Sequence, residues 1–206
     1  MTLERSFESR YPGEICLPVL ETERLVLRTP RLEDAVAITA MADDRTVAEN
    51  TAQIPHPYRL KDARAWIASF AEPADGASFA LFLHDGTFVG GGGITPREGT
   101  MHIGYWLGAS HRNKGFATEA ARTVIDFAFS RRDLAEISAN ARVTNIASRG
   151  VLEKCGFQWT GAGLVRIHAL AASVPVDRFR LDRKTWTALR AWGRLPLACP
   201  LPVRAA

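Results

Sequence analysis

Between an alternating apolar run and a helix-like one lies Ser-His-Arg-Asn-Lys-Gly-Phe-Ala-Thr-Glu-Ala, residues 110–120. Such a stretch has the makings of an anion site. The first N–H groups of an α-helix have no acceptor within the helix. The helix dipole adds partial positive charge at the same end. Gly115 lets backbone approach a ligand with no side chain between, and Arg112 and Lys114 bring mobile positive charge. Phosphate or pyrophosphate is what such a turn would hold. The same residues also suit a plain helix start, with Gly115 as its entry and the cations in solvent. Other phosphate cradles do not fit. A P-loop needs Gly-Lys and then Ser or Thr, whereas Lys114 stands between Asn113 and Gly115. The four glycines at 90–93 miss the dinucleotide pattern, because Thr95 occupies the place of the third spaced glycine. They read as a bulged strand or a close approach of backbones.

Other chemistry is thinly supplied. The five histidines, at 56, 84, 102, 111 and 168, form no His-x-x-x-His pair, so no metal is expected. Cys16, Cys155 and Cys199 are odd in number, without Cys-x-x-Cys spacing, and read as free thiols in a reducing compartment. Cys155 ends an amphipathic pattern and is expected in the core rather than as a nucleophile. Trp66, Trp159, Trp186 and Trp192 are read as core, and Trp106 as lying near a cleft.

The elements that position the turn follow from periodicity. Residues 1–19 are weakly patterned and expected as an extension, 20–192 as one domain, and 193–206 as a frayed tail. A strand is expected over 23–30, a helix over 32–44, and a proline-broken loop over 54–60. A second helix over 61–72 would bury Ala65, Ile67, Ala68 and Phe70. Residues 78–96 read as two strands turned at Asp85-Gly86, and 100–108 as a third strand reached through Glu98-Gly99. The 115–132 helix presents Ala117, Ala121, Val124, Ile125 and Ala128 on one face. A strand over 136–143, a helix over 146–157 capped at Gly156, and a strand turning helical over 177–189 complete the order. The sum is an α/β (α+β) domain, a mixed sheet with helices on both faces. With 206 residues, 47% apolar and a net charge of +4, a packed core is within reach. The mild basicity suits an anionic ligand. No basic run argues for nucleic acid, no window reaches a membrane span, and the N-terminus lacks a secretory core, so a cytoplasmic protein is expected.

"RNKGFA" (112–117) resembles the Gln/Arg-x-x-Gly-x-Gly/Ala turn of the GNAT superfamily of N-acetyltransferases. "IGYWLGASHRNKGFATEA" is similar to the RimJ/RimL-like branch, which holds the ribosomal-protein alanine and serine N-acetyltransferases. "NIASRGVLEKCGF" (145–157) resembles that branch's Asn-x-x-Ser helix, and "ETERLVLRTPRLEDA" (21–35) its opening strand and turn. The resemblance runs over about residues 20–190. It implies a single-domain acyl-CoA N-acyltransferase fold, a mostly antiparallel sheet splayed at a central parallel strand pair. It implies acetyl-CoA as co-substrate, with its pyrophosphate on the backbone of Arg112, Asn113, Lys114, Gly115, Phe116, Ala117 and Thr118. The pantetheine arm would lie as a pseudo-strand along Tyr105, Trp106 and Leu107, between strands 100–108 and 136–143. Asn145 and Ser148 would contact the cofactor, and Ser148 would protonate the departing thiolate. The reaction implied is direct attack of a neutral amine on the thioester, with N–H donors from 102–107 for the oxyanion.

One departure bears on the base. Many relatives carry Glu two residues before the strand glycine; here His102 stands there, on one face with Gly104 and Trp106. It is the candidate base, directly or through water, with Glu98 and Asp177 behind it. The alternative leaves the proton to solvent. Residues 55–58 and 169–177 are the analogous acceptor walls. The acceptor would be a small amine or a protein N-terminus, the chain a monomer or homodimer. A non-catalytic acetyl-CoA sensor and a phosphate-binding regulatory module are the competing functions.

Overall fold

A computed structural model of the chain describes residues 3–5, 19–71, 76–131 and 133–192. The sequence opens with β1 (Leu3–Arg5), β2 (Val19–Glu21) and β3 (Leu25–Arg28), followed by α1 (Ala35–Ala42), α2 (Arg45–Asn50) and α3 (Leu60–Ala68). Three strands meander next, β4 (Ala77–Leu83), β5 (Phe88–Arg97) and β6 (Thr100–Leu107). Then come α4 (Phe116–Arg131), β7 (Glu136–Arg142), α5 (Ile146–Lys154), β8 (Gln158–Ile167), β9 (Ala172–Asp182) and α6 (Arg183–Trp192). The strands form one sheet in the order β1-β2-β3-β4-β5-β6-β7-β9-β8.

Every neighbouring pair is antiparallel except β6 and β7, which run parallel, as the crossover through α4 requires. Tight turns set the meander. Gly86 takes φ 88° between β4 and β5, and Glu98 and Gly99 take φ 51° and 77° between β5 and β6. The glycine run at 90–93 serves close approach. A Cβ on Gly91 would stand 2.7 Å from Trp106 Nε1, and one on Gly93 2.5 Å from Ala77 O. The register slips nearby, between Leu81 and Phe82, so both sequence readings of this run apply.

Two cores sandwich the sheet. On one face α4 buries Phe116, Ala120, Ala121, Val124, Ile125, Ala128 and Phe129 against Leu25, Leu27, Phe79, Leu81, Met101 and Ile103. On the other, Ile38, Ala42, Tyr58 and Ala63 pack on Ala80, Phe82 and Phe88. The face predicted for α4 is the one it buries, with Ala117 only half-buried at its margin.

Several expectations are corrected. The helix expected over 32–44 ends at Ala42, and α2 follows separately. Asp44 adopts an extended backbone and caps α2, its carboxylate accepting from Thr46 N at 2.7 Å. In α3 the buried residue is Ala63, with Trp66 and Ile67 packed beside it; Ala65 and Ala68 are exposed, because the packed stripe runs through 63, 66 and 67 and leaves them on the other side of the helix. Phe70 meets Trp66 edge to face at 5.3 Å. Strand β8 was not expected. It pairs only with β9 and is largely exposed, so burial left little apolar alternation, and Gly161 and Gly163 weaken its signal further. Residues 169–177 are therefore mostly strand, with the turn confined to 168–171. Within the expected extension, Leu3–Arg5 pairs with β2. Trp159 and Trp192 are exposed rather than core. The tail expected over 193–206, with Cys16 and Cys199, lies outside the described residues.

Candidate functional site

Strands β6 and β7 pair only at Met101–Ile137 and His102–Ser138. Beyond that point each keeps its outer partner to the end, β6 with β5 as far as Leu107 and β7 with β9 as far as Arg142. The sheet therefore opens into a wedge whose facing edges, 103–107 and 139–142, carry backbone groups with no ladder partner across the gap. Buried or half-buried peptide groups seek partners. An extended chain carrying amides of its own is a chemical match for such a gap.

The turn after β6 lies beside that opening. Asn113 takes φ 60° and Gly115 φ 84°, and the first bond of α4 is Glu119 N to Gly115 O at 3.1 Å. The N–H groups of Phe116, Ala117 and Thr118 thus precede the hydrogen-bonded part of the helix. Successive left-handed and right-handed residues concentrate N–H groups on one concavity, an anion nest. His111 Nδ1, buried with no hydrogen-bond partner, adds an unsatisfied polar atom at the same turn. The geometry fits a diphosphate.

The cations around the turn differ in part from those expected from the sequence. Arg112 is held in place rather than mobile: Nη2 meets Asp44 Oδ2 at 2.6 Å and Nε donates to Leu107 O at 3.1 Å. Lys114 is exposed. Arg24, which the sequence reading did not single out, stands over the turn. It donates from Nη1 to Lys114 O at 2.8 Å, lies 4.8 Å above the Phe116 ring, and bonds Glu119 Oε2 from Nε at 2.7 Å. Burial alone would raise the Glu119 carboxyl. Hydrogen bonds from Thr22 and Arg24 and the Arg24 charge outweigh it, so Glu119 stays below its ordinary range. The one available signal was Glu119 itself: a carboxylate one turn into a helix expected to receive an anion calls for a neutralising cation. An open groove of about 530 Å³ continues from Gly115 past Thr118, Arg122 and Lys154.

The two faces of the wedge carry different chemistry. His102 lies at its vertex, on the same face as Gly104 and Trp106. Burial first, and then the Arg97 charge, lower its pKa against a smaller opposing effect of Glu98, so the ring is neutral at neutral pH. Trp106 is half-buried in the core with Phe88, ring centroids 5.8 Å apart. On the opposite face, Tyr105 reaches across to α5. Its hydroxyl lies 3.1 Å from Ser148 Oγ and 3.2 Å from Ser148 O. Burial pushes the phenol well above its ordinary value, more than the Ser148 hydrogen bond lowers it, so it keeps its proton. Asn145 caps α5, Oδ1 accepting from Ser148 N at 3.0 Å. That bond fixes the start of the helix bearing Ser148 at the open edge.

The remaining expectations resolve as follows. Asp177 is 7% exposed; it accepts from Trp159 Nε1 at 2.9 Å and lies 3.3 Å from Arg149 Nη1, a contact too poorly directed to count as a hydrogen bond. These contacts link Asp177 to β8 and α5. Glu98 is exposed in its turn. Cys155 is buried, and burial raises its thiol to about 11, which fits the core reading. Of the expected acceptor walls, Tyr58 is anchored by its N–H to Asp43 Oδ1 at 2.8 Å. The β8–β9 turn meets the chain after α2 through His168 N to Ala52 O at 3.0 Å. Among the described residues no group of His, Cys, Asp and Glu is placed to hold a metal, and no helix is long and apolar enough to cross a membrane.

Comparison with known proteins bears on this arrangement. The family model described as "Acetyltransferase (GNAT) domain" matches residues 24–158. The protein named "Uncharacterized N-acetyltransferase p20" from Bacillus licheniformis is 30% identical over 167 residues, 78% of this chain and 93% of its own. Among solved structures, a GNAT-family acetyltransferase from Bacillus anthracis superposes with a TM-score of 0.71 at 22% identity, over 81% of this chain and 99% of its own. Mycobacterium smegmatis RimJ, in complex with CoA-disulfide, gives 0.68 at 24% identity, over 82% and 90%. These two likenesses bear on the fold alone.

Proposed function

Because the chain belongs to the GNAT family of acetyltransferases, and so is an acetyl-CoA-dependent N-acetyltransferase, we propose that it acetylates a primary amine by direct attack within a ternary complex. The observation that carries the reading is the wedge. Strands β6 and β7 part after His102 and Ser138, with a helix N-terminus beside the opening.

In this reading the N–H groups of 116–118 and the backbone of 112–115 hold the diphosphate. The groove past Thr118, Arg122 and Lys154 takes the nucleotide end. The extended arm pairs with the free edges of Tyr105, Trp106 and Leu107, and Asn145 and Ser148 contact it from α5. The two faces divide the proton work. An amine arriving on the His102 face gives its proton to the neutral imidazole or to a water that the imidazole holds. On the opposite face the Ser148 hydroxyl, backed by Tyr105, donates to the departing sulfur. The wedge between them keeps reactants in line and brings N–H donors to the developing oxyanion. The acceptor is a small amine or a protein N-terminus, met in the cytoplasm.

The test is CoA-thiol release with acetyl-CoA over a panel of polyamines, amino acids, aminoglycosides and short peptides with free N-termini. At least one amine is expected to be acetylated. Acetyl-CoA binding that simple pyrophosphate displaces completely and with equal affinity would instead favour a bare phosphate site.

A further inference from the structure

Helix α2 joins the far ends of the two strands that splay. At its start, Asp44 caps the helix with one oxygen and takes Arg112 Nη2 at 2.6 Å with the other. Arg112 also grips Leu107 O, at the end of β6. At the other end of α2, Glu49 O accepts from Arg142 Nη1 at 2.9 Å, and the Glu49 carboxylate lies 3.9 Å from the same guanidinium. Arg142 is the last residue of β7. The strand ends are thus tied, each through an arginine, to opposite ends of one six-residue helix. The Arg112 and Asp44 side chains are 33% and 24% exposed, sheltered enough for the pair to hold its geometry.

The lengths agree. A chain inserted between two strands needs twice the usual spacing of ~4.8 Å, or about 10 Å. Six helical residues rise about 9 Å. We propose that α2 is a spacer that sets the aperture of the wedge. Asp44, Arg112, Glu49 and Arg142 are then positioning residues for the extended arm of the acyl donor. The inference rests on the cofactor reading above. The side chain of Arg112 then acts on the arm through α2, while its backbone belongs to the turn.

Two probes separate aperture from turn: acetyl-CoA, and 3′-phosphoadenosine 5′-diphosphate, which has the nucleotide end and diphosphate without the arm. Asp44→Asn keeps an N-cap residue and removes the charge that pairs with Arg112. It is expected to weaken acetyl-CoA about tenfold in a calorimetric titration, the scale of one charge-assisted hydrogen bond, and the armless probe less than about twofold. Arg142→Gln, at the opposite end, is expected to give the same split, with Arg142→Lys intermediate; it also carries the test should Asp44→Asn fail to fold. Equal losses for both probes would place the effect in the turn and overturn the spacer, as would an undiminished acetyl-CoA affinity. Wild-type protein that took up neither probe would sink the cofactor reading, and the spacer with it.

Discussion

At the scale of single residues the account turns on two protons. His102 has a folded-state pKa below 6.5, set first by burial. We predict that kcat/KM rises with pH through a step below that value, and that His102→Gln lowers it about 100-fold and abolishes the step. Persistence of the step in the variant would assign the proton to another group. Stability follows the same sign. Between the folded and unfolded values the unfolded chain binds more protons. Stability therefore rises with pH across that window and is fully present above about 6.5. Ser148→Ala is expected to lower kcat about tenfold or more with little change in the KM for acetyl-CoA, since its role falls at departure of the thiolate. An unchanged kcat would remove Ser148 from the proton path. Gly115 stood out in the sequence itself, as the glycine of a basic turn before a helix, and Asn145 and Ser148 through the family resemblance alone. Arg24 was not, because 95 residues separate it from Glu119 and nothing local to either residue announces their ion pair.

At the scale of elements, caps and buried pairs decide where helices begin. Asn145→Ala removes the cap of α5 and is expected to cost about 1 kcal/mol in chemical denaturation. It should also weaken acetyl-CoA binding, and an effect on stability alone would confine Asn145 to the cap. Asp34 holds Arg28 bidentately, at 2.8 and 2.9 Å, with the guanidinium 3.8 Å above Phe82. Asp34→Ala leaves that arginine without its carboxylate, with only Thr29 O to bond, and is expected to cost about 3 kcal/mol; a loss under 1 kcal/mol would show that water reaches Arg28. Strong periodicity made α4 and the meander readable. The boundary between α1 and α2 and the whole of β8 were not. The first was expected at residue 44 and falls at Ala42, and what was missed is α2 itself, six residues capped by Asp44 and too short to show a helical period. The second is an exposed edge strand, whose partner rather than its sequence makes it a strand.

At the scale of the molecule, two half-sheets meet at one short parallel contact and are otherwise held apart. The α4 core keeps them in a single body: Phe79, Phe129 and Ile137 are fully buried around it. The architecture was visible in the order of elements. The opening of the wedge came only through the family resemblance, since nothing in the residues of "TMHIGYWLG" or "EISANARV" says that pairing stops after His102 and Ser138. The most direct test of the central claim is a calorimetric titration of acetyl-CoA into the wild type and Gly115→Leu, with thermal melting as the control for folding. A side chain at φ 84° strains the turn and places a Cβ 3.1 Å from Arg24 Nη2, in the concavity proposed to hold the diphosphate. The account predicts a folded variant whose affinity falls by at least about 100-fold, the scale of a few lost hydrogen bonds to a charged group. A folded variant that takes up acetyl-CoA as tightly as the wild type would contradict it.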